Sequence, residues 1–94
     1  MYQNFAAQAP EDYAFETRSM RLNGHCTSVR LEAAFWRVIA DIADRDGLSV
    51  AQFVSQLHAE VMAAHGEARN FTSLLRCACL THLQRSQPAM VAAE

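Results

Sequence analysis

The hydrophobic and polar positions divide the chain into an aperiodic start, an alternating stretch and three stretches of helical spacing. Residues 1–15 mix Ala, Gln, Asn and Pro with scattered aromatics and carry no period, which reads as a flexible N-terminal arm. Residues 18–31 read as extended. Thr27, Val29 and Leu31 alternate there with Cys26, Ser28 and Arg30, the period of a half-buried strand. At Glu32 the period changes. Phe35, Ile39, Ile42 and Ala43 form an amphipathic helical stripe, widened by Trp36 and Val38. Gly47 ends that helix, since glycine takes the left-handed position past a helix end at little cost. Ser49-Val50-Ala51-Gln52 is a capping box that opens a second helix, with Val50, Phe53, Val54, Leu57 and Val61 as its stripe and Gly66 as its stop. Asn70 or Thr72 caps a third helix holding Leu74, Leu75, Ala78, Cys79 and Leu83. That helix is apolar over most of its circumference, more than a chain this short buries alone. The pattern predicts one domain over residues 16–86, mainly α with a short β element, and a flexible tail over 87–94.

A lone strand leaves both rows of backbone groups unpaired. A second copy of the same strand, antiparallel across a two-fold axis, is the economical partner. Thr27, Val29 and Leu31 then roof a dimer core with Phe35, Trp36, Phe53 and Leu57, while Cys26, Ser28 and Arg30 of both chains point outward. A two-stranded ribbon fits a major groove roughly 12 Å wide, where Ser bonds to several base edges and Arg makes a bidentate contact to guanine. Asn23-Gly24 complicates this, because it is a strong hairpin signal. A two-residue turn there pairs Leu22 with His25 and Met20 with Thr27, and brings Ser19 and Arg21 to the outward face. A dimer would then carry a four-stranded sheet, too wide to enter the groove as a simple ribbon does. The alternative is that residues 18–22 form an arm contacting phosphates. Both remain open at the level of sequence.

The run Thr27-Ser28-Val29-Arg30-Leu31-Glu32, a helix with Phe35-Trp36, then Gly47-Leu48-Ser49 and a second helix resembles the ribbon-helix-helix family. The upstream Arg18-Ser19-Met20-Arg21-Leu22-Asn23-Gly24-His25 is similar to a bacterial subgroup in which a third helix follows. The resemblance covers about residues 18–84. It implies an obligate homodimer, of higher order in some cases on DNA, that binds double-stranded DNA as a sequence-specific transcriptional regulator, in particular a repressor. Carried onto this chain, Cys26, Ser28 and Arg30 are the base-contact candidates. Arg18, Arg21, Leu48 and Ser49 are the phosphate candidates, the last two because free N–H groups and the dipole at a helix start favour an anion. The chain departs from the family at Cys26, where a long basic or polar side chain is common.

Charge bears on this reading. The net charge is −2 and every basic residue is Arg, so a nucleic-acid face has to be cationic locally. Residues 18–31 hold Arg18, Arg21 and Arg30 and no acid, whereas Asp41, Asp44 and Asp46 fall toward the far end of the first helix. An odd, sparse set of cysteines (Cys26, Cys77, Cys79) argues against a disulfide framework and for a reducing compartment. With no secretory pattern at the start and no long apolar run, a cytoplasmic protein is expected, with no membrane partner. Cys77 and Cys79 stand two apart on a helix and point to different sides, and the four histidines lack ligand spacing, so no metal site is expected. No phosphate-cradling glycine loop, zinc-protease motif or nucleophile elbow is present; no catalytic residue, cofactor or enzyme activity is expected. The competing function is a protein-interaction module or antitoxin-like protein that keeps the dimer fold with weak or no DNA binding. Its protein partner is unknown from sequence, and residues 1–15 are the segment available to meet one.

Overall fold

The computed structural model describes residues 4–86; residues 1–3 and 87–94, and with them the expected tail, lie outside the described residues. After a 3-10 turn at Phe5–Ala7 come α1 (Pro10–Tyr13), β1 (Phe15–Leu22), β2 (His25–Glu32), α2 (Ala33–Arg45), α3 (Val50–His65) and α4 (Phe71–Arg85). Part of the expected arm is therefore locally helical. Pro10 sits in the first turn of α1 with Glu11 and Asp12, residues that suit a helix start. Arg37 of α2 reaches back to Asp12 at 2.7 Å.

The two strands form an antiparallel hairpin with Leu22 opposite His25, Arg21 opposite Cys26, Met20 opposite Thr27 and Ser19 opposite Ser28. Asn23 (φ 53°) and Gly24 (φ 81°) both have positive φ, the geometry of a two-residue hairpin turn whose twist matches the strands. This decides between the two readings of residues 18–22: they are strand, not a separate arm. It also corrects the simple ribbon, since one edge of β2 is already occupied by β1 of the same chain.

Alternation sets the two faces of the hairpin. Met20, Leu22, Val29 and Leu31 are buried and cluster with Trp36 and Ile39 of α2, Val54 of α3, and Leu75 and Cys79 of α4. Phe35, Phe53 and Leu57 pack against this core from partly buried positions. Thr27 is half-buried on the same face. Trp36 ties helix to sheet: its ring is 1% exposed and its Nε1–H donates to the Glu16 carbonyl at 2.8 Å. Burial raises the Cys79 thiol to about 11, so this cysteine acts as a small hydrophobe.

Helix ends follow their local signals. Gly47 (φ 70°) and Gly66 (φ 79°) take the left-handed position at the ends of α2 and α3. The capping box at Ser49 and Gln52 is complete in both directions, at 3.1 and 2.8 Å. Helix α4 begins at Phe71, with Asn70 in the left-handed region and no side-chain cap. Leu74, Leu80 and Leu83 of this helix are exposed. An open apolar groove of about 390 Å³ lies between Ile42, Phe53, Leu57, Leu74, Cys77 and Ala78. No helix among the described residues is long and apolar enough to cross a membrane.

Candidate nucleic-acid interface

The outward face of the hairpin carries Thr17, Ser19 and Arg21 from β1 and Cys26, Ser28 and Arg30 from β2, all exposed. Register makes this one surface: Arg21 stands across from Cys26, Ser19 from Ser28, and Thr17 from Arg30. The three base-contact candidates of the sequence thus share one face, and Arg21 joins them.

Arg18 does not. It stands opposite the buried Val29, on the inward side, with its guanidinium 4.5 Å from the Trp36 ring centroid and Nε 2.7 Å from Glu16 Oε2. Its charge is paired with a neighbour and its guanidinium covers the indole, a use of arginine as packing. Arg21 and Arg30 have no carboxylate within ion-pair distance among the described residues. Arg21 Nη1 donates to the Gly24 carbonyl at 3.1 Å and so braces the turn. The Arg30 guanidinium lies 4.1 Å from the centroid of Phe15, an aromatic that sequence reasoning left in the arm. Glu32 continues the outward alternation of β2, but Arg76 of α4 donates to it at 3.0 Å. Its carboxyl is held below the usual range, chiefly by a hydrogen bond from its own backbone N–H and, with burial opposing, by Arg76. The face is therefore locally cationic on a chain of net charge −2.

The anchor at the start of α3 is less open than the sequence suggests. Leu48 N–H donates to the Ala43 carbonyl at 2.9 Å, and Ser49 N–H to Gln52 Oε1 at 2.8 Å. Gln52 N–H is taken by Ser49 Oγ. Val50 and Ala51 keep N–H groups with no hydrogen-bond partner among the described residues. Ser49 is exposed, but Asp44 in the last turn of α2 and Asp46 just past it precede it, so this end is less cationic than the hairpin face. One turn earlier in α2, Asp41 accepts from His82 of α4 at 2.8 Å and from Arg45 at 3.1 Å. The His82 contact is the main reason the Asp41 carboxyl is lowered.

Cys26 is exposed beside Arg21, Cys77 is exposed along the groove, and Cys79 is buried, so the three cysteines occupy separate surroundings. Among the described residues no group of three or more His, Cys, Asp or Glu side chains is placed to hold a metal ion.

Comparison with known proteins places this geometry. A family model described as a ribbon-helix-helix domain matches residues 15–83, which begin with β1 and end within α4. Among solved structures, an uncharacterized protein from Bordetella pertussis Tohama I is similar at 45% sequence identity with a TM-score of 0.82, over 90% of this chain and 71% of that one. A search of curated proteins finds no match.

Proposed function

Because the chain belongs to the ribbon-helix-helix family, we propose that it is a homodimeric, sequence-specific DNA-binding transcription regulator of the cytoplasm, most simply a repressor, and not an enzyme. Domains of this family generally dimerise and bind DNA. The observation that carries the proposal is the outward hairpin face, where Cys26, Ser28 and Arg30 project together with Ser19 and Arg21 and, among the described residues, no unpaired carboxylate intrudes.

The second copy pairs through the free edge of β2 and closes the apolar groove between α2, α3 and α4. Two hairpins joined in this way make four strands. At ~4.8 Å between neighbours, the outer strand axes are ~14 Å apart, wider than a groove of ~12 Å. The sheet then lies across the groove mouth. The central β2 strands, with Ser28 and Arg30, face the bases. The flanking β1 strands bring Thr17, Ser19 and Arg21 over the phosphate walls. Val50 and Ala51 N–H groups at the start of α3 are the remaining phosphate donors.

Arg30→Ala tests this assignment. A bidentate guanine contact is worth ~1–3 kcal/mol, and symmetry removes it twice. Specific binding is expected to be lost while the fold is kept, measured by fluorescence anisotropy and a melt. Unchanged affinity would make Arg30 a solvated charge. The same sheet width favours a second reading, an interaction module that keeps the dimer fold, and DNA binding absent from the wild type would select it.

A further inference from the structure

We infer that Phe15 is a positioning residue for Arg30: its ring holds the guanidinium flat against the outward sheet face with the N–H donors free to meet an anion or a base edge. The inference rests on the DNA-binding reading and names a residue for it outside the strand that faces the bases.

Three observations carry it. The Arg30 guanidinium carbon lies 4.1 Å from the Phe15 ring centroid, a stacking distance. A ring on one face of a guanidinium leaves its five in-plane donors unused, so stacking orients the group without consuming a hydrogen bond. The ring itself stands on fixed backbone. Phe15 pairs with Glu32 across the hairpin, and Ala33 N–H donates to the adjacent Ala14 carbonyl at 2.9 Å. Finally, the nearest acid along the same face is diverted. Glu32, two residues from Arg30, is bound by Arg76 at 3.0 Å, so the stacked guanidinium keeps its charge for a ligand. The other hairpin arginines differ: Arg18 is ion-paired and Arg21 is bonded to the turn. Phe15 is 52% exposed, far more than core packing of a phenylalanine requires.

The test compares wild type, Phe15→Leu, Phe15→Tyr and Arg30→Ala, and the double variant of Phe15→Leu with Arg30→Ala. Each is titrated against the duplex that the wild type selects from random DNA. An exposed cation–π contact corresponds to about 2–5-fold in affinity, or about 5–25-fold for the two halves of a symmetric site. Phe15→Leu is expected to weaken binding by that factor with little change in the melt, and Phe15→Tyr to stay within about 2-fold of wild type. In the Arg30→Ala background Phe15→Leu is expected to add nothing. Upfield ring-current shifts of the Arg30 side-chain protons, present in wild type and Phe15→Tyr and lost in Phe15→Leu, report the stack without DNA. Unchanged affinity in Phe15→Leu overturns the role alone. An equal loss with and without Arg30 also overturns it, because Phe15 then acts by itself. A wild type that binds no duplex overturns the DNA reading and this role together.

Discussion

Replacing Trp36 by Phe should destabilise the protein by about 2–3 kcal/mol, and the sum can be built from its contacts. The indole Nε1–H bond to the Glu16 carbonyl, 2.8 Å long, disappears. The abandoned acceptor costs ~1–3 kcal/mol, and the low end applies here because the carbonyl sits at the margin of the core and can recruit water. The smaller ring leaves roughly 40 Å³ unfilled beside a side chain that is 1% exposed. At ~24 cal/mol per Å³ that volume adds about 1 kcal/mol. The Arg18 guanidinium, 4.5 Å from the ring centroid, loses part of a cation–π contact worth ~0.5–1 kcal/mol. For a domain of this length each kcal/mol moves the midpoint by ~4–8 °C, so a drop of roughly 10–25 °C is expected. Trp36 is the sole tryptophan, so its fluorescence is lost in the variant. Circular dichroism through thermal and urea melts, at one fixed protein concentration, is the suitable assay. A loss below ~0.5 kcal/mol, the scale of an inert surface change, would refute the view that Trp36 locks β1 onto α2.

Two further outcomes follow from the same geometry. Cys26→Arg should steepen log K against log salt by roughly 0.9 per phosphate reached, about 1.8 per dimer. Because Arg21 stands directly across from Cys26, like charges should also lower stability by up to ~1 kcal/mol; an unchanged slope would move this face away from DNA. Asp41, lowered chiefly by its His82 hydrogen bond, has a depressed folded-state pKa. Its contribution is present above the ordinary aspartate range and is lost as pH falls through the lowered value. Asp41→Asn should therefore flatten the acid limb of a melting-temperature profile, and an identical limb would show that the contact between α2 and α4 does not depend on that charge.

Local chemistry was the legible part of this sequence. Gly47, Gly66 and the Ser49–Gln52 box act within a few residues of themselves, and each stands where its spacing places it. The faces of β2 were legible for the same reason, since Val29 and Leu31 alternate with Ser28 and Arg30. The hairpin was half legible. Asn23-Gly24 names the turn, but whether the chain before it pairs depends on a strand whose inward positions include Glu16 and Arg18, two charges that break the apolar alternation. They are tolerated because they pair with each other at 2.7 Å and Arg18 lies over the Trp36 ring, a contact between residues far apart in sequence. Phe15 was hidden likewise: without its place opposite Glu32 it is one more aromatic in an aperiodic stretch. Pro10, Glu11 and Asp12 were a readable helix start that the lack of a period obscured.

In the proposed dimer, two copies of the hairpin present Ser28 and Arg30 symmetrically to duplex DNA. Selection of bound sequences from a random double-stranded pool by the purified protein tests it most directly. Enrichment of an inverted repeat with a guanine in each half is expected, with loss of that enrichment in the Arg30→Ala pool. A pool that stays random after repeated rounds at low salt, where phosphate contacts are strongest, would contradict it.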